Sequence, residues 1–202
     1  MTSRSVQNRK KWEELYASGA RANRPPSAWV VEAVARLPNV AAVADVAGGN
    51  GRHAIPVSRQ GRTVVLVDLA HQAVSAAMAA EPGLAGVVAD VTRLPLRPEQ
   101  FGIVIVTNFL VRGVFADLIA LLAPGGHLVY ETYTLRHLDL VQRGLARGPQ
   151  SPEYLLQPGE LRALARPLAV VEYWEGEVED AAGRRHCARL VGQSSMVSDP
   201  QS

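Results

Sequence analysis

The chain contains a single cysteine, Cys187, so it cannot form an internal disulfide or a cysteine-based metal site. It has no apolar run long enough to span a bilayer and no signal-peptide pattern near its start, so the expected setting is a reducing cytoplasm with no membrane partner. Neither sign of charge dominates. Lys plus Arg number 21 against 19 Asp plus Glu, and the arginines are scattered rather than gathered into a basic stripe. Aromatic residues make up only 5%, which leaves no aromatic-laced groove for nucleic acid or a second protein. Internal repeats and low-complexity segments are also missing.

What is present fits one compact α/β domain. The length of 202 residues and the 48% hydrophobic content support one sizeable core. The opening "MTSRSVQN" is polar and expected to fray. "RKKWEELYASG" then reads as a helix stopped by Gly19, with Trp12, Leu15 and Tyr16 on one face. After the loop "ARANRPP", Ser27 is placed to cap a helix "AWVVEAVARL" that Pro38 ends. These elements, residues 1–38, read as an N-terminal helical cap on an α/β core at 39–193, with 194–202 a disordered tail.

Within the core, short apolar strands alternate with helical segments. "VAAVADV", "RTVVLVDL", "AGVVAD", "FGIVIVTN" and "GGHLVYETYT" are the strands, which implies a parallel sheet covered on both faces. "LRHLDLVQRGLARGPQSPEYLLQ" reads as irregular and "PGELRALARP" as a last helix. "AVVEYWEGEVED" and "RRHCARLVGQ", joined at "AAG", read as an antiparallel hairpin.

The stretch "VADVAGGNGRHA" carries the chemistry. Asp45 ends the first strand, and Gly48, Gly49 and Gly51 follow in the turn into a helix, an arrangement that aims backbone N–H groups and a positive helix end at a ligand. "GNGRHA" also fits the loose dinucleotide pattern, and a tight turn capped by Asp45 is the plainer alternative. Asp68 ends the second strand, where an acid can accept bonds from ribose hydroxyls under either cofactor. A carboxylate ahead of the glycines suits a cationic or zwitterionic ligand better than a pyrophosphate. Asp90 ends the third strand, and with the Val91 N–H it can read an adenine edge, although turn capping explains an acid there as well.

Taken in order, "VADVAGGNGRHA", "VLVDLA", "VVADVTRLPL", "FGIVIVTNFL" and "LLAPGGHLVYETYT" resemble the successive motifs of class I S-adenosylmethionine-dependent methyltransferases. "WEELYASG", "NGRHA" and "GPQSPEYLLQPGEL" are similar to the small-molecule branch related to tellurite-resistance methyltransferases. The resemblance implies a Rossmann-like sheet, mostly parallel with a C-terminal antiparallel hairpin and helices on both faces. It implies S-adenosylmethionine as cofactor, S-adenosylhomocysteine as product, and no metal. Asp45 and the Gly48–Gly51 backbone would hold the amino-acid end of the cofactor, and Asp68 its ribose. Leu69 would pack on the adenine, Asp90 and Val91 would read its edge, and Asn108 would lie near the methionine, unless it is only a turn residue. The family commonly has glycine where this chain has Ala47, which affects the fine geometry of the turn.

Methyl transfer to a small-molecule substrate needs no nucleophile on the protein, because holding acceptor and methyl in contact supplies most of the acceleration. The substrate pocket would draw on Trp12, Tyr16, Arg24, Phe109, Leu110 and Arg112. Trp12 and Tyr16 could equally be a helix face packed on the core. Tyr133, Arg185 and His186 are the candidates for a catalytic role, with Tyr130, Glu131 and Arg189 beside them, while "RRH" could equally be a solvated strand face. Two alternatives keep the fold: a nicotinamide-dependent oxidoreductase, and a protein that binds S-adenosylmethionine without turnover. On this reading Asp68→Ala removes cofactor binding and leaves the fold intact.

Overall fold

The structure is a computed structural model that describes residues 3–19, 24–39 and 41–196, with side chains from residue 9 onward. Its centre is a seven-stranded sheet. The strands are β1 (Ala42–Val46), β2 (Val64–Asp68), β3 (Ala85–Val88), β4 (Phe101–Thr107), β5 (Leu122–Tyr133), β6 (Ala169–Asp180) and β7 (Gly183–Gln193). Their spatial order is β3-β2-β1-β4-β5-β7-β6. β1 to β5 pair in parallel, and β7 runs antiparallel to both β5 and β6. This is the Rossmann-like arrangement of class I methyltransferases.

The helices are α1 (Ser3–Ala17), α2 (Ala28–Arg36), α3 (Ala54–Ser58), α4 (His71–Ala80), α5 (Phe115–Ala120), α6 (His137–Gln142) and α7 (Glu160–Leu164). They cover both faces because the inner strands are apolar on both sides. Val43, Val64, Leu66, Ile103, Ile105 and Val129 face a cluster with Val30 and Val34 of α2 and with Ala54 and Val57 of α3. The alternate residues Val46, Val104, Val106, Leu128 and Tyr130 pack against Phe115, Leu118 and Leu161 on the other face.

Local readings moved in several places. α1 begins at Ser3 and takes in most of the polar opening expected to fray. The stretch 135–157, expected to be irregular, holds α6 and a 3-10 turn at Pro152–Tyr154. Ser27 sits at the α2 N-cap, but its hydroxyl makes no capping bond and donates to Glu131 Oε2 at 3.0 Å. The far end of α2 is closed by Arg62, whose guanidinium donates to the carbonyls of Val34, Leu37 and Pro38. Ser194 donates to the carbonyls of Gly126 and Ala123, and the Ser195 carbonyl accepts from Gly125, so the first residues of the expected tail are tied to β5. Residues 197–202 lie outside the described residues. No described helix is long and apolar enough to cross a membrane.

Candidate functional site

Strand order reverses between β1 and β4, and a doubly wound sheet opens a crevice at the carboxyl ends of its strands there. A cavity of about 510 Å³ occupies that position. Gly48 reaches it from the loop after β1, Asp68 and Leu69 from the end of β2, and Asp90 and Val91 from the turn after β3. Asn108, Phe109, Leu110 and Arg112 line it from the segment after β4. Trp12 and Tyr16 of α1 and Arg24 from the following loop complete the wall. The α1 face therefore does more than pack on the core. Its two rings lie 6.2 Å apart, and Glu13 between them accepts the N–H groups of His71 and Gln72 at the start of α4.

The glycine loop differs from its sequence reading. α3 is only five residues long, too short for a substantial helix dipole. Several loop donors are spent internally: Gly49 N–H donates to Asp68 Oδ2 at 2.8 Å, Ala54 N–H to Asp45 Oδ2 at 3.0 Å, and Gly51 N–H to the Gly48 carbonyl at 3.2 Å. The loop presents carboxylates rather than a cradle for phosphate. Asp45 is fully buried, its Oδ1 has no hydrogen-bond partner, and burial pushes its carboxyl up to about 7. Asp68 is also held above the ordinary carboxylate range by burial, opposed by the N–H groups of Ala70 and Gly49. These bonds correct the reading of Asp68 as a group whose partners lie only on a ligand: it also ties the loop to β2.

Gly49 and Gly51 have φ of +60° and +79° and do not line the cavity, nor does Asp45. A Cβ on Gly49 would lie 2.1 Å from the Tyr16 hydroxyl, so α1 rests directly on the loop. Ala47, which does line the cavity, has φ of +57°, the left-handed conformation in which the family's glycine is free of strain. Asn108 has φ of +52°, which asparagine tolerates, so it is both a turn residue and part of the wall. Asp90 likewise has two parts: Oδ1 accepts the N–H and hydroxyl of Thr92, capping the 3-10 turn Val91–Arg93, and the residue borders the cavity.

The three catalytic candidates do not line the cavity. Arg185 is buried in an ion network, bonding Asp180 at 2.7 and 3.0 Å and Glu131 at 3.2 Å. Arg189 donates to the same Glu131 at 2.7 Å, and its guanidinium lies 5.3 Å from the ring centroids of both Trp29 and Trp174. Glu131 is 1% exposed and holds the β5–β7 pairing to α2 through Ser27. His186 bonds Thr134 through Nδ1 at 2.7 Å, and burial lowers its pKa. Tyr133 is buried, with its ring 4.5 Å from that of His137.

Other wall residues had no role in the sequence reading: Arg52, Thr92, Thr107, Val111, Glu153 and Tyr154. Arg52 follows the last glycine directly and was legible as a position, though not as a function. Thr107 depends on a contact no local pattern shows. His53 accepts the Ser27 N–H at Nε2 (3.0 Å), and burial lowers its pKa well below the ordinary range. The neutral ring must then carry its proton on Nδ1, 3.2 Å from Thr107 Oγ1. Thr107 accepts that proton's hydrogen bond, and the residue borders the cavity.

The methyltransferase domain family matches residues 43–126. No curated protein matches the chain. Among solved structures, a protein studied for the conversion of a disulfide bond into a thioacetal group during echinomycin biosynthesis has a TM-score of 0.70 at 22% identity, covering 87% of this chain and 84% of that one. An S-adenosylmethionine-dependent methyltransferase from Methanosarcina mazei has a TM-score of 0.69 at 16% identity, covering 85% of this chain and 100% of that one. TehB from Haemophilus influenzae has a TM-score of 0.64 at 16% identity, covering 91% of this chain and 67% of that one. These likenesses fix the fold, and the domain at 43–126 spans the glycine loop and the ends of β1 to β4. Residues 43–126 therefore carry a methyltransferase domain on a methyltransferase-like fold, and S-adenosylmethionine is the cofactor that domain implies.

Proposed function

We propose that the chain methylates a small molecule held in the same cavity as the cofactor. The observation that carries this reading is the composition of the cavity. One side has acids at two strand ends, Asp68 and Asp90, with Asp45 buried behind Gly48 and loop donors turned onto Asp45 and Asp68. The other side is an apolar and aromatic wall of Phe109, Leu110, Val111, Trp12 and Tyr16. A volume of about 510 Å³ is that of a small-ligand site.

The residues fit the proposed cofactor. The unpartnered Asp45 Oδ1 is an acceptor for a cationic amine, and a pyrophosphate beside it would be repelled. Asp68, with both oxygens bonded to backbone N–H groups, keeps lone pairs for ribose hydroxyls. Leu69 and Val91 flank an apolar slot for adenine, with Asp90 at its edge.

S-adenosylmethionine, when bound, supplies a methyl group already activated by its sulfonium. The chain's own part is to align the acceptor and keep water out. Trp12 and Tyr16 wall the cavity from α1, and Thr107 borders it with its hydroxyl held against His53. A base on the protein is needed only for an acceptor that must lose a proton. Of the sequence candidates, Arg185 and Glu131 serve the frame, so no general base is assigned.

The reading is tested by following tritiated methyl from S-adenosylmethionine in parallel reactions with pooled small molecules, RNA and protein extract. Label in the small-molecule pool is expected. Label confined to RNA or protein would overturn the acceptor class, while calorimetric binding of S-adenosylhomocysteine tests the cofactor separately.

A further inference from the structure

Two aromatic residues border the cavity on the side away from Asp68 and Asp90. Those acids come from the ends of β2 and β3, whereas Phe109 follows β4, and Tyr154 belongs to the segment after α6 that runs past the end of β5. Among the described residues neither ring stacks on another. Tyr154 is 41% exposed, yet Leu155 and Leu156 beside it are fully buried. The chain fixes its backbone around a ring that it leaves uncovered.

The fixing comes from two directions. Leu156 N–H donates to the Tyr133 carbonyl at 3.0 Å, and the Leu156 carbonyl accepts the Leu135 N–H at 2.9 Å, which pins the segment to the end of β5. On the other side Arg112, in the same segment as Phe109, spans the 3-10 turn Pro152–Tyr154. Its guanidinium donates to the carbonyls on either side of Tyr154, Glu153 at 2.9 Å and Leu155 at 3.0 Å. It also grips Glu160 through Nε and Nη2 at 2.6 and 2.9 Å, and Glu160 accepts the Gln157 N–H at 2.8 Å. A two-point guanidinium–carboxylate pair that also closes backbone bonds is rigid where a single exposed ion pair is not. The Phe109 segment is held in turn by the Tyr130 hydroxyl, which donates to the Phe109 carbonyl at 2.7 Å. Arg112 therefore sets the spacing between the two segments that carry the rings.

We infer that Phe109 and Tyr154 form a slot for an aromatic acceptor, and that Arg112 positions Tyr154 in it. This rests on the proposed function and narrows its substrate class. An aromatic ring in the slot gains offset or edge-on ring contacts beyond the apolar area it buries, whereas a saturated ring of similar outline gains the area alone. Arg112 acts through the turn, since its bonds are spent on Glu160 and on backbone carbonyls.

The test uses the S-adenosylhomocysteine complexes of the wild type, Tyr154→Leu and Arg112→Gln. Each is titrated calorimetrically with 2-naphthol and with its saturated counterpart, decahydro-2-naphthol. The readout is the ratio of the two affinities, and comparing that ratio between proteins cancels the different hydration of the probes. The ratio in the wild type should exceed that in Tyr154→Leu by about two- to tenfold in favour of 2-naphthol. Arg112→Gln keeps the ring without the clamp, and its ratio should fall to that of Tyr154→Leu while S-adenosylhomocysteine binds as in the wild type. A purely structural Arg112 would lower the melting temperature and leave the ratio in place, which would overturn its positioning role. Equal ratios in the wild type and Tyr154→Leu, or failure of both probes to bind the wild-type complex, would overturn the slot. If Arg112→Gln does not fold, Arg112→Lys, which keeps the charge without the two-point grip, takes its place. Tyr154→Leu decides the slot in either case, because the Tyr154 hydroxyl bonds nothing among the described residues. A wild type that binds no S-adenosylhomocysteine would overturn the methyltransferase reading instead, and the same titrations of the free protein would then decide the slot.

Discussion

Replacing Asp45 by Asn isolates the charge at the heart of the site. The carboxyl is fully buried, with one oxygen bonded to the Ala54 N–H and the other unpartnered, and burial raises its pKa from 3.8 to about 7. The folded state therefore holds a proton that the unfolded chain releases. The resulting destabilisation is absent below pH 4, grows between pH 4 and 7, and is complete above 7. A shift of about 3 units corresponds to about 4 kcal/mol at full ionisation. Asn imitates the protonated side chain, so Asp45→Asn should be more stable than the wild type above pH 7. From pH 5 to pH 8 the gap between them should widen by about 2 to 3 kcal/mol. Buried neutral histidines act oppositely: His53, with its pKa lowered, loses stability as the pH falls through the unfolded value of 6.5. The difference between the two proteins cancels that contribution. Urea denaturation at both pH values measures it, and a gap independent of pH would refute the buried-charge argument. Binding gives the complementary sign: S-adenosylhomocysteine, with its cationic amine, should bind the wild type more tightly as the pH rises through 7, and Asp45→Asn should lose that dependence.

Other substitutions probe the frame around the loop. Ala47→Gly relieves a left-handed alanine, worth about 1–2 kcal/mol, against about 0.5–1 kcal/mol for glycine's added chain entropy, so melting should show a modest gain. A loss would mean that the Ala47 methyl packs usefully in the wall. Asp68→Ala leaves the N–H groups of Gly49 and Ala70 without their acceptor, so it should lower stability by about 2 kcal/mol or more. Calorimetry should show weaker S-adenosylhomocysteine binding in the same variant, and loss of affinity at unchanged stability would restore the simpler sequence reading. Glu131→Gln strips the shared partner from Arg185 and Arg189 and should cost about 3 kcal/mol in chemical denaturation. A change under about 1 kcal/mol would show that Asp180 and the two tryptophans satisfy those arginines alone.

The strands, their parallel order and the acids at their ends were legible because each is a local pattern: an apolar run, then a carboxylate, then a turn. Ala47 was legible as a departure, but its left-handed backbone was not, since one residue type does not reveal its φ. What a side chain bonds to across the sheet stayed hidden. Arg185 and His186 looked like candidates for chemistry because they lie together in sequence. In a strand, however, neighbours face opposite sides. Arg185 turns to Glu131 and Asp180, while His186 turns to Thr134. Arg52 shows the reverse error. It lies inside the motif that was read most closely, one residue past the last glycine, and went unassigned because attention fell on the backbone. Its place appears only in the fold, where it lines the cavity and lies near enough to Glu131 and Asp45 for both to favour its charge. The cofactor side of such a site is built from residues close to the strand ends and can be read in one dimension. The acceptor side is defined by which side chains distant elements bring to the wall, and only the folded arrangement determines that.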